Sequence, residues 1–161
     1  MIRRCIVFFV LCLLLAQSAF ADLSVARQLM EQRKYEQAHE ILLPKAQAGH
    51  AAAEEMIGIL YAMGLGVERD NQRAFDWYLR SALKGRSSAQ SGVGWYYEVG
   101  LGIPAPDPIR AYAWYALSAI GGDPDAAVSQ QEVINQMSSE QIAKAKLLVE
   151  DYRAYLYPML E

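Results

Sequence analysis

Ile57-Gly58-Ile59-Leu60-Tyr61-Ala62-Met63-Gly64-Leu65-Gly66 returns 36 residues later as Val93-Gly94-Trp95-Tyr96-Tyr97-Glu98-Val99-Gly100-Leu101-Gly102. The match extends outward. Gly49 falls on Gly85 and Ala53 on Ala89; past one inserted residue the offset becomes 37. Asp70 then falls on Asp107, Arg73-Ala74 on Arg110-Ala111, Trp77-Tyr78 on Trp114-Tyr115, Ser81-Ala82 on Ser118-Ala119 and Gly85 on Gly122. Self-similarity at a fixed period of this length marks stacked supersecondary units, none of which can bury its apolar face alone.

Each unit reads as two helices. The first is expected over 51–63, with its copy over 87–99; both end at Gly-Leu-Gly, where glycine supplies the left-handed residue that stops a helix. The second is expected from Asn71 to Lys84, with its copy from Pro108 to Ile120. Asp70 and Asp107 stand where a carboxylate accepts from open N–H groups, and Pro108 takes the first helical position, where a missing N–H costs nothing. Gly58 and Gly94 lie inside helices at a cost of roughly 1 kcal/mol each against alanine. Their recurrence implies close helix approach, and Tyr61, Trp77, Tyr78, Tyr97, Trp114 and Tyr115 are expected to fill the space between units.

The flanks hold partial units. Leu23 to Gln32 and Tyr35 to Ala48 read as a first helix pair with a core stripe of Tyr35, Ala38, Leu42 and Ala46; Pro44 is expected to kink the second helix or end its regular part. A further helix is expected from Asp123-Pro124 to about Gln136. Ser138 and Gln141 form a capping box for a last helix reaching about Tyr157. Terminal units that depart from the pattern close a stacked core against water.

Met1-Ile2-Arg3-Arg4, the apolar run Cys5 to Ala16 and Ala19-Phe20-Ala21 read as a signal peptide cut after Ala21. The apolar run is short for a bilayer, which needs about 20 apolar residues, so no stable membrane anchor is expected after cleavage. Cleavage removes Arg3 and Arg4, taking Lys+Arg from 15 to 13 against 18 acids, a net charge of -5. It also removes both cysteines, Cys5 and Cys12, so the remaining domain has neither disulfide nor thiol chemistry. An acidic balance does not suit nucleic acid. The organisation expected is signal peptide 1–21, N-terminal capping pair 22–48, two repeats 49–122 (49–84 and 85–122) and C-terminal capping helices 123–161.

Over 49–122 the pattern Gly-x-x-Tyr, Gly-x-Gly, Asp, Ala-x-x-Trp-Tyr, Ser-Ala resembles the Sel-one-like repeat (SLR) family, relatives of the tetratricopeptide repeats (TPR). The first copy carries it as Gly58, Tyr61, Gly64, Gly66, Asp70, Ala74, Trp77-Tyr78 and Ser81-Ala82. The second carries Gly94, Tyr97, Gly100, Gly102, Asp107, Ala111, Trp114-Tyr115 and Ser118-Ala119. Lys34-Tyr35-Glu36-Gln37-Ala38 and Met137-Ser138-Ser139-Glu140-Gln141 resemble flanks of bacterial members. The resemblance implies an all-α fold, an α/α right-handed superhelical solenoid of helix-turn-helix repeats, serving as an adaptor or binding scaffold. One branch of the family, linked to β-lactam binding, has a disulfide in each repeat; a cysteine-free domain departs from it. Pro104-Ala105-Pro106 lengthens one turn.

No catalytic constellation is legible. His39 and His50, the two histidines, lack metal-ligand spacing and read as surface residues. Glu54 and Glu55 are adjacent on a helix and do not face each other. No cofactor or metal site is expected, and the expected partner is another protein. In the family the first helices line the concave face, which marks Glu55, Ile59 and Ala62, with Ser91, Trp95 and Glu98, as candidate contacts. Trp95 stands where the first copy has Ile59, and tryptophan is enriched at binding hot spots. The function expected is an exported protein-interaction module of the cell envelope, periplasmic or extracellular. The alternatives are a periplasmic immunity protein against an antibacterial toxin and, further off, a cell-wall-acting enzyme.

Overall fold

The computed structural model describes residues 22–157, and within them the chain is helical without strands. The signal-peptide reading falls on residues 1–21, outside the described residues. Helix α1 covers 22–31. It is followed by α2 (Tyr35–Gln47), α3 (Ala51–Met63), α4 (Asn71–Ala82), α5 (Ser87–Val99), α6 (Pro108–Ile120), α7 (Ala126–Ile134) and α8 (Ser139–Leu156). Helix α3 packs on α4 and α5 on α6 within the units; α2 meets α3 and α4 meets α5 between them.

The repeated letters are repeated contacts. A Cβ on Gly58 would stand 3.1 Å from the ring of Tyr78, and one on Gly94 would stand 2.9 Å from the ring of Tyr115. The mid-helix glycines thus let the tyrosine of the second helix lie against the backbone of the first. Tyr78 also rests on Gly92, 2.9 Å from an added Cβ, so one ring joins α3 to α5. Ser81 donates to the carbonyl of Ala51 at 2.8 Å, and Ser118 donates to that of Ser87 at 2.7 Å. Asp70 and Asp107 accept from the backbone N–H of Arg73 and Arg110, three residues on, as helix caps.

Ala38, Leu42 and Ala46 of α2 are buried, with Tyr35 half-buried beside them. The helix runs through Pro44 to Gln47 instead of ending there, and the N–H of Ala48 donates to the carbonyl of Pro44 at 3.0 Å, so the helical pattern continues past the proline. Helix α4 stops at Ala82, two residues short of the expected end; Gly85, at φ +82°, turns the chain toward α5. Helix α7 begins at Ala126, not at Asp123, because the Asp123 carboxylate accepts from the N–H of Asp125 and the hydroxyl of Ser118 in the preceding turn. The capping box of Ser138 and Gln141 forms at the start of α8.

The last unit is closed differently from the others. Both α7 and α8 pack on α6. In the first repeat Lys84 reaches over Gly49 to Glu54. One unit on, Gln90 takes the place of Glu54, and its Nε2 donates to the hydroxyl of Tyr157 at 2.8 Å and to the carbonyl of Ala82 at 3.2 Å. The Tyr157 ring lies over Gly85 as Lys84 lies over Gly49.

Candidate interaction surface

Helix α5 divides into two faces. Ala89, Gln90, Val93, Gly94 and Tyr96 are buried against its neighbours. Ser88, Trp95 and Val99, spaced seven and four apart, are exposed, with Ser91 and Gly92 half-buried among them. Helix α3 repeats this one unit earlier: Ile59 is half-buried and Met63 is 66% exposed at the positions of Trp95 and Val99. The outcome is that both helices leave large apolar side chains exposed at equivalent positions, with Trp95 43% exposed on α5. The Trp95 indole is fixed edge-on to the ring of Tyr96, centroids 5.1 Å apart. A rigid aromatic side chain that is already oriented loses little entropy on binding.

Six residues were singled out from the sequence, and the structure divides them. Ile59, Ala62, Ser91 and Trp95 retain accessible surface with no polar partner to displace. Glu55 does not: Arg86, in the turn before α5, closes over it with Nη2 at 2.5 Å, leaving the residue 9% exposed. Glu98 accepts from the hydroxyl of Tyr115 at 2.8 Å. Burial first, and then that hydrogen bond, hold the Tyr115 hydroxyl well above the ordinary tyrosine range. Both carboxylates tie parts of the solenoid together. Met63 and Val99, both exposed, join the four accessible candidates; their signal in the sequence is their position one turn beyond Ile59 and Trp95 in the two copies.

The remaining polar groups serve the fold. Glu54, 2% exposed, is bound by Lys84 through both oxygens at 2.5 Å. His39 is half-buried, not a surface residue, and meets Tyr61 edge-on with centroids 6.0 Å apart. Burial holds its pKa below the ordinary value, with the charge of Glu40 opposing. His50 is exposed just before α3. No group of three His, Cys, Asp or Glu side chains among the described residues could hold a metal ion. The described residues form several clefts. One of about 520 Å³ lies among α6, α7 and α8; one of about 450 Å³ is lined by Leu79, Leu83, Tyr97, Trp114, Tyr152 and Tyr155 among others. Neither of these linings brings a histidine or two carboxylates together, the minimum for paired acid–base chemistry; a further cleft of about 390 Å³ has both Glu68 and Asp70 in its lining, and there Asp70 is committed to the cap of α4 and to Arg73. No helix among the described residues is long and apolar enough to cross a membrane.

Helix pairs stacked by the same glycine–tyrosine and serine–carbonyl contacts, with exposed apolar side chains on the first helices, define an α/α solenoid, a class that generally serves as a scaffold for protein–protein interaction. The two repeats match the Sel1 repeat, over residues 51–85 and 87–123. A protective antigen present in uropathogenic Escherichia coli strains, displaying an SLR fold, superposes with a TM-score of 0.82 at 25% identity, over 87% of this chain and 31% of that one. A Sel1 repeat protein from Oxalobacter formigenes superposes with a TM-score of 0.65 at 28% identity, over 80% of this chain and 54% of that one. The chain therefore spans about a third of the first protein and about half of the second. No curated protein matches it significantly.

Proposed function

We propose that this chain is an exported protein-interaction scaffold of the cell envelope that binds a protein or peptide on the concave face formed by α3 and α5. The observation that carries this reading is the exposure of Trp95, Val99 and Met63 at repeat-equivalent positions. Large apolar side chains on a solvent face cost solubility without aiding the fold, and contiguous patches of them mark binding sites. Ile59, Ala62 and Ser91 extend this set, while Glu55 and Glu98 act by holding Arg86 and Tyr115. Export is supported by Met1-Ile2-Arg3-Arg4, the apolar run and Ala19-Phe20-Ala21. On this reading the domain is delivered to the periplasm or beyond, with 22–48 and 123–161 as its caps.

The test is affinity capture from envelope extract with the parent protein and with Trp95→Ala and Met63→Asp variants of equal helicity. One protein retained by the parent and lost with both variants supports the reading. A protein retained equally by all three overturns the placement on α3 and α5. Should the captured protein be an antibacterial toxin, the scaffold is acting as its immunity protein.

A further inference from the structure

Helix α8 presents a second surface, remote from Trp95 in the chain and independent of the reading above. At 100° per residue Ala143, Leu147 and Ala154 share one outward stripe. All three are exposed, Leu147 by 68%, the largest value of any leucine in the described core and surface. Leu147 stands at the rim of the cleft of about 520 Å³ whose floor is Tyr112, Ala116 and Val149. The cleft exists because α7 and α8 each pack on α6 rather than forming a close pair with one another.

The charges beside this stripe have an order. Lys144 and Asp151 lie on one flank of Leu147; Lys146 and Glu150 lie on the other. In an antiparallel helix pair like flanks meet, as e meets e and g meets g in an antiparallel coiled coil. With the two-fold axis beside Leu147 and Leu148, Lys144 faces Asp151 of the other copy and Lys146 faces its Glu150. Each pair occurs twice by symmetry. Lys146 and Asp151 have no ion pair within the chain among the described residues. Lys144 and Glu150 have exposed partners in Glu140 and Arg153, at 2.7 Å and 3.6 Å; such pairs within a helix are worth only tenths of a kcal/mol and are readily exchanged.

We propose that α8 is the contact helix of a homodimer, packed antiparallel on α8 of a second copy, with each Leu147 entering the cleft of the other. Ala143 and Ala154 allow the close approach. The two-fold arrangement uses one patch twice and closes on itself, so association stops at two copies.

The experiment is sedimentation equilibrium of the processed full-length protein over a concentration series, with far-UV circular dichroism to show that every variant keeps the parent's helicity. The parent is expected to show a monomer–dimer equilibrium, and Leu147→Glu only monomer. Lys144→Glu with Lys146→Glu sets acid against acid and weakens association by about tenfold or more. Adding Glu150→Lys and Asp151→Lys restores complementarity and returns association to within about threefold of the parent. A parent that stays monomeric at concentrations on the order of a millimolar overturns the proposal. So does a dimer unchanged by Leu147→Glu, or charge reversals that fail to compensate.

Discussion

A Cβ added to Gly102 would stand 2.4 Å from the backbone carbonyl of Asn71, the first residue of α4. Gly66 has the same relation one unit earlier, 2.6 Å from the backbone of Glu36 at the start of α2. The second glycine of each Gly-Leu-Gly is therefore the point where one unit docks on the helix before it, and backbone cannot move aside as a side chain can. Gly102→Ala adds this overlap to a left-handed backbone at φ +69°. It is expected to lower stability by about 3 kcal/mol or more, from about 1–2 kcal/mol of conformational cost plus displacement of the interface. Gly122→Ala is the control: φ is +90°, with nothing within 4 Å of the added carbon. It should lose only the conformational part, and urea midpoints at unchanged m-value compare the two.

Lys84→Met leaves the Glu54 carboxylate buried without its cation. Because the Lys84 side chain is 40% exposed, water replaces part of the lost interaction. A loss of about 2 kcal/mol is expected, below the range for a fully buried pair. Glu54→Leu together with Lys84→Met should recover most of it, since the two methylene-rich side chains then pack without a stranded charge. The double-mutant cycle reads the coupling directly.

His39 gives stability a pH dependence of definite sign. Burial lowers its pKa in the fold below the ordinary 6.5. From about pH 6.5 downward the unfolded chain takes up a proton that the folded chain resists. The contribution is fully present above that pH, declines as pH falls toward the folded pKa, and is constant below it. His39→Gln, which cannot titrate, should show a smaller loss of stability between about pH 7 and 5 in parallel urea titrations. An equal loss in both proteins would assign the effect to other groups.

Lys34 occupies the cap position of α2 that Asp70 and Asp107 occupy at α4 and α6, and it makes no side-chain cap bond. Lys34→Asp places an acceptor and a negative charge at that helix start. It is expected to raise stability by about 1 kcal/mol, read as a higher urea midpoint.

The helices, their starts at Asp70, Asp107 and Ser138, and their stops at Gly64 and Gly100 were legible because each rests on residues within a few positions of one another. The close approach at Gly58 and Gly94 was legible because it occurs twice. Of the two expectations for Pro44, an end to the helix is not met, because the cost of a proline inside a helix is opposed by the burial of Leu42 and Ala46 on either side of it. His39 misled because a polar letter carries no record of the Tyr61 ring set against it.

What the sequence by itself determined is the unit: two helices, their ends, and the small and aromatic residues that let one unit seat on the next. Local dihedral preference and periodicity suffice for that. Only the tertiary structure decided which side chains remain for a partner. Glu54 meets Lys84 across 30 residues, Glu55 meets Arg86 across 31 and Gln90 meets Tyr157 across 67. Whether a carboxylate is free or bound depends on which cation the stacked turns bring within about 3 Å, and that distance is set by the path of the chain in space. Trp95 is partly exposed for the same reason: the residues of α5 buried where α4 and α6 pack on it are Ala89, Gln90, Val93, Gly94 and Tyr96.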